Sequence, residues 1–462
     1  MNFTAQDVEN MIAEQRTFYY SRQTKDIEFR KKKLIQLKEV IKQYEQEVLQ
    51  ALKLDLNKSE FEAYSTEVGI VYDSISYLVK NIEEWSKPVP AKTPIHFQPG
   101  KSFIVREPYG VVLIIGPFNY PFQLIMEPLI GAIVGGNTAI VKPSESSPHT
   151  TAIIKKIIQE TFGEKYVRVV EGEKDEVTAL IHASFDYIFF TGSVAVGKVV
   201  AKAAAERLTP ICLELGGKSP AIVDQTANLE VAAKRIAWGK FSNAGQTCVA
   251  PDYVMVHKSV YTKFVKKLKK VIQEFYGKDI QASPDFGRII NVRQFDRLQE
   301  ILKREASNIT FGGQTNREDL FVEPTLVEHA TWDSPSMEDE LFGPILPILQ
   351  YEEFPLAIHK IRQLPKPLAG YLFTENEKAV DYFLEELPFG GGCINDVISH
   401  VGNMHLPFGG VGPSGVKAYH GKASYENFTH PKSILKRSSK LATDLVFPPY
   451  NNKVKLVRMI MK

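Results

Sequence analysis

The stretch VVLIIGPFNYPFQLIMEPLIGAIVGGNTAIV, residues 111–141, holds the pattern that decides the fold. It opens and closes on apolar, β-branched runs, VVLII (111–115) and TAIV (138–141). Three further runs follow, VRVV (167–170), YIFF (187–190) and ICLEL (211–215), set apart by helix-patterned segments such as TTAIIKKIIQETF. Short apolar runs of this kind read as buried strands, and their alternation with helices implies a parallel, doubly wound sheet. Between 111 and 136 the chain is broken by Pro117, Asn119, Pro121, Gln123, Glu127 and Pro128. That makes a poor membrane span and a plausible buried strand and loop.

Working outward, a second alternation follows, with strand candidates AIV (221–223), YVMVH (253–257), ITF (309–311), ILPILQY (345–351), LAGYLF (368–373) and CIN (393–395). Two α/β lobes in tandem are expected, with a ligand in the cleft between them. The first 87 residues read as helices: Leu34, Leu37, Ile41, Tyr44, Val48 and Leu52 recur at spacings of three and four. Residues 88–107 change character. Pro88, Pro90 and Pro94 precede two β-prone runs, IHF and FIV, on either side of QPGK, which predicts a projecting hairpin.

The length of 462 residues corresponds to about three domain-sized units. Lys plus Arg (56) against Asp plus Glu (54) leaves +2, too little for the basic footprint of nucleic-acid binding. The excess is uneven: Lys432–Lys462 holds eight basic residues and one acid, so this tail carries +7 and the rest −5. Cys212, Cys248 and Cys393 have neither CxxC spacing nor a zinc-type His cluster, so no metal is expected and a reducing cytoplasm fits. The opening MNFTAQDVEN lacks a basic region followed by an apolar core, so no secretory signal is expected.

Two glycine motifs compete for a phosphate. GVGPSG (410–415) matches GxGxxG but follows HLPF rather than a strand, and reads as a tight loop. GSVAVGK (192–198) follows the strand YIFF with P-loop spacing, yet Val199 stands where a P-loop needs a hydroxyl for magnesium. What survives is a strand end, Gly192, Ser193 and a helix start whose free amides favour a phosphate. Among the cysteines, Cys212 sits in the apolar run ICLEL and Cys393 follows three glycines, both structural settings. Cys248 differs, lying in SNAGQTC among small polar neighbours where a nucleophile or a plain loop thiol both fit. Glu214 ends a buried strand before Gly216 and Gly217, as an ion-pair member or as a proton acceptor of raised pKa.

Seven segments in order, PFNYP (117–121), KPSE (142–145), FTGS (190–193), ELGGKSP (214–220), NAGQTC (243–248), ELFGP (340–344) and LPFGGVGPSG (406–415), resemble the NAD(P)-dependent aldehyde dehydrogenases. They span roughly residues 105–430, and the PFNYPF wording looks most like the class 3 and fatty aldehyde branch. That branch sometimes ends in a membrane-spanning tail, from which the ending PPYNNKVKLVRMIMK departs. The resemblance implies a Rossmann-like NAD(P)-binding domain from residues 1–87 and 108–215 and a catalytic domain at 216–416. It further implies a β oligomerisation segment at 88–107 with 417–440, leaving a basic tail at 441–462.

By the same resemblance, Cys248 is the nucleophile, Asn119 with the Cys248 amide the oxyanion site, and Glu214 the general base that hydrolyses a thioester. Lys142 and Glu145 fall on the adenosine ribose, Gly192 and Ser193 near the pyrophosphate, and Glu340 and Phe342 at the nicotinamide end. NAD is expected first, with NADP possible. Tyr120, Trp238 and Phe408 resemble an aromatic aldehyde tunnel, with core packing as the alternative, and no Arg stands there to clamp a second carboxylate. The expectation is therefore oxidation of an apolar aliphatic or aromatic aldehyde by a homodimer. A coenzyme A-acylating enzyme, a P-loop-like nucleotide hydrolase and weak association of the basic tail with anionic lipid are the alternatives.

Overall fold

The computed structural model describes residues 4–440, 447–451 and 453–461; of the basic tail, 441–446, 452 and Lys462 lie outside the described residues. Its architecture is α/β, with two large parallel-rich sheets and two small antiparallel ones, the smaller being the two-stranded pair Thr315–Asn316 and Phe321–Val322. The first sheet runs in the order Gly415–Val416, Ile211–Glu214, Tyr187–Thr191, Val111–Ile115, Thr138–Lys142, Val167–Val169. All neighbours are parallel except the short edge strand Gly415–Val416. Every residue of Val111–Ile115, Thr138–Lys142 and Tyr187–Thr191 is buried, which is why these strands read as unbroken apolar runs. The chain moves outward from Val111–Ile115 on one side, then crosses back to Tyr187–Thr191 on the other. The carboxyl ends on either side of that reversal form the crevice where such sheets bind ligands.

The second sheet has seven strands: Ile309–Phe311, Thr325–Glu328, Ile345–Tyr351, Tyr253–His257, Pro220–Val223, Ala369–Phe373 and Gly391–Ile394. Only Ile309–Phe311 is antiparallel to its neighbour. Thr325–Glu328 was not among the strand candidates; three apolar-compatible residues between Pro324 and an acid give too short a signal.

Three local readings are corrected. The segment after Val111–Ile115 is not a loop throughout: Gln123–Gly135 is an α-helix, buried at every position and with Pro128 inside it. Proline removes one helical hydrogen bond, but burial on all sides outweighs that loss. In the hairpin, IHF forms a 3₁₀ turn at Ile95–Phe97, and the first strand is Val89–Ala91, paired with Gly100–Pro108. The strand Thr429–Arg437 completes this sheet through nine register pairs with Gly100–Pro108. Finally, the periodic stretch around Tyr44 is two helices, Ile27–Gln43 and Glu45–Leu56, that meet at Tyr44, whose φ of −104° and ψ of 13° interrupt the turn.

No helix among the described residues is long and apolar enough to cross a membrane. Within Gln123–Gly135, Glu127 is buried, with one carboxyl oxygen accepting from the Ser74 hydroxyl at 2.9 Å. Burial pushes its pKa from 4.5 up to about 8. The folded state therefore holds this proton more tightly than the unfolded chain, and the stability it confers is lost as pH rises from about 4.5 through about 8. Glu127→Gln is expected to flatten this part of the pH dependence, so that the variant gains on wild type between pH 6 and pH 9 in paired thermal melts.

Candidate active site

The Cys248 loop starts where the helix Leu229–Phe241 ends. A 3₁₀ turn, Ser242–Gly245, follows, in which Asn243, Ala244 and Gly245 take φ values of 51°, 50° and 75°. At Gly245 a Cβ would lie 2.3 Å from the Gly343 carbonyl oxygen, so only glycine fits. Gln246 fixes the turn: its amide donates to the carbonyls of Asn243 (3.0 Å) and Arg288 (2.9 Å) and its oxygen accepts from the Ile290 N–H (3.0 Å). Two residues on, the Cys248 thiol is pushed up to about 12, first by burial and then by the Glu340 and Glu214 carboxylates. The Cys248 and Val249 N–H groups act in the opposite sense by favouring the thiolate.

Asn119 lies in the loop after Val111–Ile115. Its side-chain amide donates to the Gln246 carbonyl at 3.0 Å, which leaves its second amide hydrogen for another acceptor. The Asn119 backbone carbonyl accepts from Asn243 Nδ2 (2.8 Å) and from Lys58 Nζ (3.0 Å). The structure thus brings Asn119 to the Cys248 loop. Lys58 was not singled out in the sequence; it stands 61 positions from Asn119 beside a helical segment, where a lysine ordinarily signals a surface.

Glu214 ends the strand Ile211–Glu214 and is buried, which pushes its pKa well above the ordinary carboxylate range. The Cys212 thiol donates to Glu214 Oε1 at 3.6 Å, while Oε2 is buried without a partner among the described residues. Cys212, expected to be a buried hydrophobe, is buried and also touches this carboxyl. The Gly192 N–H donates to the Glu214 backbone carbonyl at 3.0 Å, so the GSVAVGK turn and Glu214 are adjacent. Ser193 caps the helix Val194–Arg207, its hydroxyl accepting from the Val196 N–H at 3.4 Å.

Around these carboxyl ends, the buried Lys142 ammonium meets Glu145 Oε2 at 2.7 Å. The Glu340 carboxylate lies over Gly216, where a Cβ would come within 2.1 Å of Oε2. Burial and Asp252 raise Glu340 to about 8, opposed by the Gly217 amide, Lys218 and Arg297. Phe342 sits edge-on to Phe118, with ring centroids 5.8 Å apart. These groups can hold a dinucleotide: a helix start for phosphate, and carboxylates with a lysine for ribose hydroxyls. Val199, exposed on the same helix, has no hydroxyl for a magnesium ion. No cluster of three or more His, Cys, Asp or Glu residues suited to a metal occurs among the described residues.

On the other side of Cys248 lies a cavity of about 640 Å³. Its lining includes Tyr120, Trp238, Phe275, Ile398 and Phe408, so the three aromatic positions expected of a tunnel share one wall with Cys248. Trp238 is 42% exposed, which decides for a lining position over core packing. Tyr120 and Thr247 share a hydroxyl hydrogen bond of 2.7 Å, and Phe408 stacks on His420 at 5.3 Å. Among the described residues, the lining contains no Lys or Arg. Glu62 and Asp285 also line it, and burial raises the Glu62 carboxyl; neither stood out in the sequence.

The profile described as "Aldehyde dehydrogenase family" matches residues 1–434. This chain belongs to the aldehyde dehydrogenase family. It is 51% identical over 455 residues to the 4,4'-diaponeurosporen-aldehyde dehydrogenase of Staphylococcus aureus, covering 98% of this chain and 99% of that protein. It is 42% identical to the mouse aldehyde dehydrogenase family 3 member A2, over 96% of this chain and 91% of that protein. A solved structure titled as the substrate-bound state of Staphylococcus aureus AldH superposes with a TM-score of 0.97 at 51% identity, over the whole of both chains. These relatives agree with the class 3 resemblance, and this aldehyde dehydrogenase is an oxidoreductase acting on aldehydes.

The raised Cys248 thiol sets a testable reactivity. Alkylation of Cys248 by iodoacetamide, measured against a Cys248→Ala background, is expected to be slow at pH 7 and to rise about tenfold per pH unit above it. Glu340→Gln is expected to speed alkylation at pH 9, because the neutral amide no longer opposes the thiolate.

Proposed function

We propose that this aldehyde dehydrogenase oxidises an apolar aliphatic or aromatic aldehyde to its acid with NAD(P), through covalent attachment to Cys248. The observation that carries this reading is the placement of Cys248 between a largely apolar cavity and two carboxyls, the buried Glu214 and the partly buried Glu340, on the nucleotide side. Cys248 Sγ forms a bond to the aldehyde carbon as the thiol proton passes to solvent water, the C=O π bond opens and the carbonyl oxygen gains the negative charge. Asn119 Nδ2 and the Cys248 N–H receive that oxygen, a contribution of about 3 to 4 kcal/mol per donor. When bound, the nicotinamide cofactor supplies the acceptor for the hydride that leaves this carbon, and a thioester remains on Cys248. Glu214, raised by burial and with Oε2 without a hydrogen-bond partner among the described residues, takes the proton of the attacking water; the C–S bond breaks, the acid leaves and the departing thiolate takes that proton back as the thiol.

In this reading Lys142 and Glu145 hold the adenosine ribose, Gly192 and Ser193 the pyrophosphate, and Glu340 with Phe342 the nicotinamide ribose and its ring. Tyr120, Trp238 and Phe408 line the aldehyde channel. A carboxylate at Glu145, pulled down by Lys142, favours a ribose hydroxyl over a phosphate, so NAD is preferred to NADP. The name of the staphylococcal relative supports including 4,4'-diaponeurosporen-aldehyde among the substrates tested. The partly exposed sheet of Val89–Ala91, Gly100–Pro108 and Thr429–Arg437 has an edge that a homodimer would cover. The tail helix Lys453–Ile460 exposes Val454, Leu456 and Met459 with Lys455 and Arg458, a composition suited to weak contact with an anionic bilayer surface of the cytoplasm.

Cys248→Ala is expected to abolish cofactor reduction with hexanal or benzaldehyde, measured by near-ultraviolet absorbance. Glu214→Gln is expected to reduce about one equivalent of cofactor per site and then stall. Retained steady turnover in either variant would overturn the assigned role. Because the folded pKa of Glu214 is raised, its base form exists only above the ordinary carboxylate range, so wild-type deacylation is expected to increase with pH. The acylating alternative predicts an acyl-coenzyme A product when coenzyme A replaces water; its absence under turnover supports the hydrolytic route.

A further inference from the structure

Lys58 and Glu67 form an ion pair with both side chains wholly out of solvent. Such a pair is a poor source of stability, since apolar replacements of similar volume are often neutral or stabilising. Its partners show what it holds. Lys58 Nζ donates to Glu67 and to the Asn119 carbonyl, and it lies 3.9 Å from the centroid of the Tyr120 ring. Glu67 Oε2 accepts from the N–H groups of Phe122 (2.9 Å) and Gln123 (3.2 Å). The pair therefore grips the loop at Asn119 itself and again just after it, at the start of the helix Gln123–Gly135.

The grip is anchored. Next to Lys58, the Asp55 carboxylate accepts from the His149 and Thr150 N–H groups at 3.2 and 2.8 Å, at the start of the helix Pro148–Thr161. The Leu56 carbonyl accepts from the Arg288 N–H at 2.8 Å, and Asn57 Nδ2 donates to the Phe286 carbonyl at 3.1 Å. Residues 55–58 thus tie the start of the helix Pro148–Thr161, the segment bracing Gln246 and the Asn119 loop together. A buried ammonium bound to a carbonyl and a carboxylate has little freedom to move, which is what positioning an amide to within a fraction of an ångström requires.

We propose that Lys58 and Glu67 are positioning residues for the oxyanion site: outside the lining of the Cys248 cavity, they act by holding the Asn119 backbone so that its side-chain amide stays against the Cys248 loop. This rests on the reading of Asn119 as an oxyanion donor. The test is stopped-flow cofactor reduction with hexanal in Lys58→Met/Glu67→Met, Asn119→Ala and the triple variant. The apolar pair, which leaves the Phe122 and Gln123 N–H groups without their acceptor, is expected to melt a few degrees below wild type yet keep wild-type circular dichroism and cofactor dissociation constant, while the burst rate constant falls roughly 10- to 100-fold. On top of Asn119→Ala, the pair substitution is expected to change the rate less than about threefold, because both act through one group.

A folded double variant with a wild-type burst rate, alongside a slow Asn119→Ala, overturns the positioning role and leaves the oxyanion reading intact. Losses that multiply in the triple variant also overturn it. An Asn119→Ala enzyme as fast as wild type removes the oxyanion reading and this inference with it. Glu67→Gln, which keeps the shape of the side chain, is measured by the same criteria if the apolar pair does not fold.

Discussion

Three consecutive residues at positive φ, Asn243, Ala244 and Gly245, are the constraint on which the site depends. A left-handed conformation costs a non-glycine residue roughly 1–2 kcal/mol, so two such residues in succession need outside support. Here the support is a lattice of side-chain to backbone bonds. Asn243 Nδ2 holds the carbonyls of Asn119 and Gln246, and Gln246 holds Asn243, Arg288 and Ile290. The turn therefore exists only while the Asn119 loop and the segment around Arg288, between the helices Tyr261–Tyr276 and Val292–Arg304, are in place. Cys248 and Asn119 belong to one strained unit, which is why the family's wording at 117–121 and 243–248 carries so much information.

The second theme is proton retention. Glu127, Glu214 and Glu340 are all raised by burial, to about 8 in the cases of Glu127 and Glu340. Two of these flank Cys248 and raise its thiol in turn. The resting site thus holds protons on sulfur and carboxyl that its chemistry must later move. Among the described residues, the cavity beside Cys248 is lined by no Lys or Arg.

Much of this was legible in the sequence, for a physical reason. Strands buried on both faces cannot carry polar alternation, so Val111–Ile115, Thr138–Lys142 and Tyr187–Thr191 stood out as unbroken runs. The Cys248 loop was legible because strain forces a narrow choice of residues, with Gly245 pressed against Gly343. What stayed hidden depends on distant pairing. The Pro128 helix looks like a loop until its burial is seen, and IHF looks like a strand until Val89–Ala91 takes its place. Lys58 and Glu67 carry no signal of burial, since their partners lie some 60 residues on.

The hydrogen bond from the Gly192 N–H to the Glu214 carbonyl links the helix start suited to a phosphate with the buried carboxyl beside Cys248. The two sit on neighbouring strands in register, Thr191 opposite Glu214. A ligand that pulls on the helix start therefore loads the same peptide that aims Glu214. The sheet acts as a rigid ruler between them, and any sliding of one strand would disturb both ends of that ruler together.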